Sequence, residues 1–239
     1  MKRFEGWIGI GYFCIVFGLL FIFFFPFQWV LLQNKKWYPA AHAYRSFWAR
    51  VLLGCWGVRC RIINKEYLDA PGPMIICSNH ASYLDIIVFC AVFRRNTCFM
   101  AKTELSRVPL FGIFFRTIDI QVDRGSKTES ATAYRKGVRA LESGQNLVIY
   151  PEGGIFPDPL VLKPLKDGAF QLAIRHKIPI LPVGMPDNYK IIPDPVISAK
   201  PGKIRVILHE PLQTALLSVG DMDRLKEALH HIIQNDIRS

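Results

Sequence analysis

From Gly6 to Asn34 no side chain carries a charge, and the run is rich in Phe, Ile and Leu between Lys2-Arg3 and Lys35-Lys36. A stretch of that length can enter or span a bilayer. Ala41-His42-Ala43 has the small-x-small form of a signal-peptide cleavage site, but the apolar run is about twice the ~7–15-residue core of a signal peptide, so a retained anchor is expected. Pro26 leaves two shapes, one kinked span or a re-entrant hairpin, and bases on both flanks leave orientation open. Next, Tyr44, Trp48, Val51 (or Leu52) and Cys55 recur at helical spacing, with Arg45 and Arg50 off the stripe. This is either an interfacial helix with its bases toward anionic lipid or a helix packed on the soluble domain.

Beyond Asp69 the pattern changes. The Pro71-Gly72-Pro73 loop is followed by short apolar runs alternating with helical periodicity. Strands are expected at Met74–Cys77, Cys98–Ala101, Ile118–Val122, Asn146–Tyr150, Ile178–Val183 and Ile204–Leu208. Helices are expected at Leu84–Phe93, Thr128–Ser143, Ala169–His176 and Asp221–Ile237. Several strands are apolar throughout, as in sheets covered on both faces. The expected fold is α/β: a single sandwich domain with a largely parallel or mixed sheet flanked by helices, over residues 61–239, preceded by a membrane anchor and interfacial helical region over residues 1–60.

A chain of 239 residues has room for one such core and an appendage. The balance of 30 Lys+Arg against 19 Asp+Glu, net +11, points to anionic partners. No acid occurs between Gly6 and Lys65, so the basic surplus sits beside the apolar run. Nucleic acid is not expected, because the bases are interleaved with membrane-like aromatics and no nucleic-acid motif is present. The six cysteines form no C-x-x-C pair, which argues against zinc and a disulfide framework and for a reducing, cytoplasmic setting of the catalytic part.

Three segments at expected strand ends carry candidate chemistry, and ligands of α/β folds gather there. In Asn79-His80-Ala81-Ser82-Tyr83-Leu84-Asp85, five residues along one helix would point His80 and Asp85 about 140° apart. A strand-to-helix loop instead lets the imidazole fold over the carboxylate, which then orients it and stabilises its protonated form. Ser82-x-x-Asp85 also has the form of a capping box, which would make Asp85 purely structural. In the second segment, Asp123-Arg124 ends a strand and Lys102 ends the one before it, two cations suited to a phosphate or carboxylate. In the third, Tyr150-Pro151-Glu152-Gly153-Gly154, paired glycines bring backbone amides close to a ligand, and Glu152 could hold a loop or a substrate hydroxyl.

In order and spacing these segments resemble the membrane-associated glycerolipid acyltransferases typified by 1-acylglycerol-3-phosphate acyltransferase. Asn79, His80 and Asp85 match N-H-x-x-x-x-D. Lys102, Pro109, Gly112, Asp123 and Arg124 are similar to the second motif, Tyr150-Pro151-Glu152-Gly153-Gly154-Ile155 to the third (F-P-E-G-T-R), and Lys166 to Val183 to the fourth. The resemblance covers roughly residues 70 to 190. It implies transfer of a fatty acyl group from coenzyme A or acyl carrier protein, as co-substrate, to a lysolipid hydroxyl, without metal or cofactor. His80 and Asp85 would be catalytic. Asn79, Lys102, Arg124, Glu152, Gly153 and Gly154 would bind substrate.

Hydroxyls are weak nucleophiles at neutral pH, and an imidazole is the side chain suited to take their proton. Donors for the thioester oxyanion would be backbone amides around Gly153 and Gly154 or near Asn79. There is no G-x-S-x-G elbow, and Cys77 lies in an apolar strand that disfavours a thiolate. Gly154-Ile155 stands where the family has Thr-Arg, the arginine associated with the acceptor phosphate. That leaves Arg124, Lys102, Lys163 and Lys166 for the phosphate, or an acceptor with another polar head such as a monoacylated aminolipid. A lipid hydrolase using the same pair, and a non-enzymatic lipid-binding scaffold, are the rival readings. Removal of residues 1 to 56 is expected to harm work on membrane-embedded acceptor more than on soluble substrates.

Overall fold

The computed structural model describes residues 2–94, 96–107, 110, 112–123 and 125–239. The chain runs α1 (Lys2–Leu31), α2 (Tyr38–Cys55), β1 (Val58–Ile63), β2 (Ile75–Ser78), α3 (Leu84–Val92), β3 (Thr97–Lys102), α4 (Gly112–Thr117), β4 (Ile120–Val122), α5 (Lys127–Glu142), β5 (Asn146–Ile149), α6 (Gly168–His176), β6 (Ile180–Gly184), α7 (Asn188–Ile191), β7 (Gly202–Leu208) and α8 (Met222–Arg238). The sheet order is β1-β7-β6-β2-β5-β3-β4. Every pairing is parallel except β6 with β7, so β7 and β1 turn against the rest and the sheet is mixed.

The period of two along each strand decides which layer a residue joins. In β2, Ile76 faces one layer with Trp48, Leu52, Val88 and Phe89 of α2 and α3, while Ile75 and Cys77 face the other with Ala133 of α5, Phe170 of α6 and Leu229 of α8. The result is a three-layer sandwich. β1 is an addition to the expected strands, and the expected boundary at residue 60 falls inside it.

α1 is one continuous helix through Pro26, and residues Gly6–Leu31 are long and apolar enough to cross a membrane. α2 returns beside it: Phe13 stacks on Trp56, Phe17 and Phe21 meet Trp48 edge-on, and Phe24 and Phe27 meet Tyr44. Near its start α1 crosses the 197–199 segment at Gly6 and Gly9, and a Cβ on Gly9 would collide with the Ala199 carbonyl oxygen. Thus one face of α1 packs on the domain along most of its length, while Ile8, Tyr12, Ile15, Leu19, Ile22 and Phe23 form an exposed apolar stripe on the other.

The alternative of an interfacial α2 with lipid-facing bases is corrected at Arg45. Its side chain turns inward, donating Nη1 to Asp119 Oδ2 (2.8 Å) and Nη2 to the Thr97 carbonyl (2.7 Å), with Phe99 under the guanidinium. Burial raises the Asp119 carboxyl against the downward pull of Arg45. Trp48, Ala49, Leu52 and Leu53 are buried in the core, so residues 1–56 supply part of the core as well as the apolar helix.

Candidate active site

β2 ends at Ser78, and the chain turns through Asn79 and His80 before α3 begins. Asn79 is buried and spans the gap to the end of β6: its Oδ1 accepts from Met185 N (2.8 Å) and its Nδ2 donates to the Met185 carbonyl (3.0 Å). With both ends of its amide so occupied, it anchors the loop to the end of β6. The His80 amide donates to Glu152 Oε1, and Lys163 N donates to Glu152 Oε2, both at 3.0 Å. Glu152 therefore ties the His80 loop to the 150–166 loop. Burial raises its carboxyl while these two amides pull it down. Both carboxylate oxygens of Glu152 are engaged by loop amides.

The imidazole of His80, 15% exposed, places Nδ1 2.9 Å from Asp85 Oδ2. The same oxygen accepts from the amides of Ala81 (2.9 Å) and Ser82 (3.0 Å). Half of the expected capping box is thus made. Ser82 Oγ accepts from Leu84 N instead of the Asp85 amide and donates to the Ile192 carbonyl. One Asp85 oxygen thus meets both the imidazole and the first amides of the helix. The His80 ring lies on Tyr150 at 4.0 Å, nearly parallel. Burial first, then Asp85 and Cys90, pushes the Tyr150 hydroxyl well above its usual range, so it stays protonated. With Nδ1 donating to the carboxylate, Nε2 carries the lone pair and can take a proton.

His80 lies on the wall of a cavity of about 710 Å³ between the α1–α2 hairpin and the sheet, a volume suited to a single organic ligand. Phe17, Phe21 and Phe24 of α1, Trp48 of α2, Ile86 and Ile87 of α3, and Phe99 make it apolar. Arg45 and Asp119 line it near the start of β3, and Gly153, Gly154 and Ile155 line it beside His80.

The glycines divide their tasks. Gly153 has φ +90, in the region that favours glycine, and its amide donates to the Tyr150 carbonyl, which removes it as an oxyanion donor. The Gly154 amide makes no hydrogen bond among the described residues and borders the cavity. Lys102 closes β3, at the same end of the sheet as His80. Arg124 and Pro109 lie outside the described residues. The amides of Lys163 and Lys166 hold the 150–166 loop, the latter on the Pro151 carbonyl. Burial drives the Cys77 thiol far up, which removes it as a nucleophile.

A family model described as Acyltransferase matches residues 59–186, from β1 to just past β6, more than half of the chain. The chain belongs to the acyltransferase family. A relative named 1-acyl-sn-glycerol-3-phosphate acyltransferase from Helicobacter pylori is 30% identical over 170 residues, covering 70% of this acyltransferase and 72% of the relative. A relative of the same name from Saccharomyces cerevisiae is 29% identical over 174 residues, covering 72% of this chain and 57% of its own. A lyso-ornithine lipid O-acyltransferase from Brucella abortus is 32% identical over 157 residues, covering 63% of this chain and 55% of its own. This acyltransferase thus spans little more than half the length of the last two. The crystal structure of the 1-acyl-sn-glycerophosphate acyltransferase PlsC from Thermotoga maritima has the same fold, with a TM-score of 0.81 at 21% identity over all of this chain and 97% of that one.

Proposed function

We propose that the chain transfers a fatty acyl group from a thioester to the free hydroxyl of a membrane lysolipid, with 1-acylglycerol-3-phosphate as the acceptor. The observation that carries the proposal is the His80–Asp85 pair on the wall of a large apolar cavity. Nε2 of His80 takes the hydroxyl proton as the oxygen attacks the thioester carbonyl carbon. Asp85 steadies the imidazolium. The Gly154 amide donates to the oxyanion. The carbon–sulfur bond then breaks, and Nε2 returns the proton to the departing thiolate. The acyl chain occupies the cavity. Coenzyme A or acyl carrier protein brings it, and no covalent enzyme intermediate is needed.

The exposed stripe of α1 supports a place on the bilayer. Because the opposite face packs on the domain, α1 lies along the leaflet surface with its stripe in the acyl region rather than crossing upright. Its loading of free thiols favours a cytoplasmic location for the domain.

A second acceptor is favoured by one observation: Gly154-Ile155 replaces the family's Thr-Arg, and relatives named lyso-ornithine lipid O-acyltransferase are among those matched. The test offers acyl-CoA with lysophosphatidic acid, lysophosphatidylcholine or a monoacylated aminolipid to the purified chain in lipid vesicles. The highest kcat/KM on lysophosphatidic acid, with thiol release dependent on acceptor, supports the proposal. Preference for the aminolipid moves the acceptor and keeps the chemistry. Thiol release without acceptor makes the chain a hydrolase and overturns the transfer.

A further inference from the structure

Asp85 has a partner outside every motif. Asn188, fully buried at the start of α7, donates Nδ2 to Asp85 Oδ1 at 2.7 Å. It is the one donor on that oxygen among the described residues, while Oδ2 takes three. The reverse amide orientation would set two oxygens against each other, so the donor must face the carboxylate. Asn188 lies two residues beyond the family match.

The segment that carries it is stitched to the His80 loop and held from behind. Asn79 makes two hydrogen bonds to Met185, and Ser82 Oγ donates to the Ile192 carbonyl. Asp187, next in chain to Asn188, receives the Arg205 guanidinium through Nε (2.7 Å) and Nη2 (3.0 Å), the Arg205 amide (3.1 Å) and Lys190 Nζ (2.8 Å). So many fixed points on a four-residue helix hold one amide against one carboxylate.

We infer that Asn188 is a positioning residue of the acyl transfer, setting the direction and charge distribution of the Asp85 carboxylate and, through it, the proton affinity of the His80 imidazole. The inference rests on the proposed base role of His80. Without Asn188, negative charge concentrates on Oδ2, the oxygen that faces the ring. The imidazolium is then held to higher pH. Other titratable groups near the pair are Tyr150 under the ring, Glu152 on the His80 amide, and Cys90, Tyr83 and Asp194 around the cavity. None of them is altered by the change.

The test compares Asn188→Leu, Asn188→Asp and His80→Ala in the full chain, measuring kcat, KM and the pH profile of kcat/KM for thioester and lysolipid, with the folded fraction from thermal melts. For Asn188→Leu we expect kcat to fall about 10–100-fold, the size of one hydrogen bond to a charged group, with little change in KM and the acid limb moved to higher pH. In Asn188→Asp the introduced carboxyl can donate to Asp85 only while protonated. Its activity relative to wild type should therefore rise as pH falls. Profiles superimposable on wild type after correction for folded fraction would overturn the inference. Turnover retained in His80→Ala would instead overturn the base role on which it rests.

Discussion

Asp85→Asn keeps the shape of the side chain and removes its charge. Three donors meet at Oδ2, from His80 Nδ1 and the amides of Ala81 and Ser82, and one at Oδ1, from Asn188 Nδ2. A carboxamide answers that set by placing its oxygen at the Oδ2 position. Its NH2 then faces Asn188, whose own Oδ1 has no partner among the described residues and can turn to accept. The fold is therefore expected to survive with an unchanged melting temperature. What disappears is the attraction between carboxylate and imidazolium. Two unit charges about 4 Å apart at an effective dielectric near 20 interact by about 4 kcal/mol. That corresponds to about 10³-fold in rate, and the hydrogen bond that remains reduces it toward about 10²-fold. The assay is thiol release from acyl-CoA with saturating lysolipid, with turnover normalised to folded protein. Turnover within about tenfold of wild type in a fully folded variant would refute the role of the carboxylate charge.

Other expectations follow from the core and the cavity. Burial, then Arg45, lowers the His42 imidazole to about 2, far below its unfolded value near 6.5. The unfolded chain thus gains a proton that the fold refuses, and stability is lost as pH falls below about 6.5, by about 2 kcal/mol at pH 5. His42→Asn keeps an acceptor for Arg45 and should flatten the dependence of melting temperature on pH between 8 and 5; an unchanged slope counts against His42 as its source. Cys90 is buried on the cavity wall, so Cys90→Phe should lower kcat/KM for long-chain thioesters by about tenfold relative to short ones. Equal losses for all lengths would place the acyl chain elsewhere. Leu19 and Phe23 are 65% and 76% exposed on α1. Leu19→Asp and Phe23→Asp should each weaken vesicle binding in flotation by of the order of 1–3 kcal/mol and leave the melting temperature alone; retained flotation would deny the stripe its contact with lipid.

The features legible in the amino-acid sequence were those carried by local periodicity or by short spacing. The six expected strands and four longer helices all appear with small shifts, because an apolar run buried on both faces leaves a clear trace. His80 and Asp85 were legible because one short stretch, a loop and the first turn of α3, holds both. β1 leaves a fainter trace: Val58, Cys60 and Ile62 alternate with the charged Arg59 and Arg61, without the continuous apolar run of the other strands. The inward setting of Arg45 is not legible locally, because its partner, Asp119, lies 74 residues away and only the fold brings them together. Asn188 belongs to no pattern at all. Its place is set by the connection from β6 to β7 packing against the His80 loop and α3, a relation that no local window contains.

α1 walls one side of the cavity, and in the proposed placement its other side meets hydrocarbon. Phe17, Phe21 and Phe24 look into the cavity while Leu19, Ile22 and Phe23, on the same turns, look away from it. The enzyme's vessel is therefore finished by its surroundings. Whatever presses on the outer side of that single wall, whether leaflet, detergent belt or bare water, also sets how firmly the inner side closes on a substrate, and rates taken in different media describe differently shaped chambers.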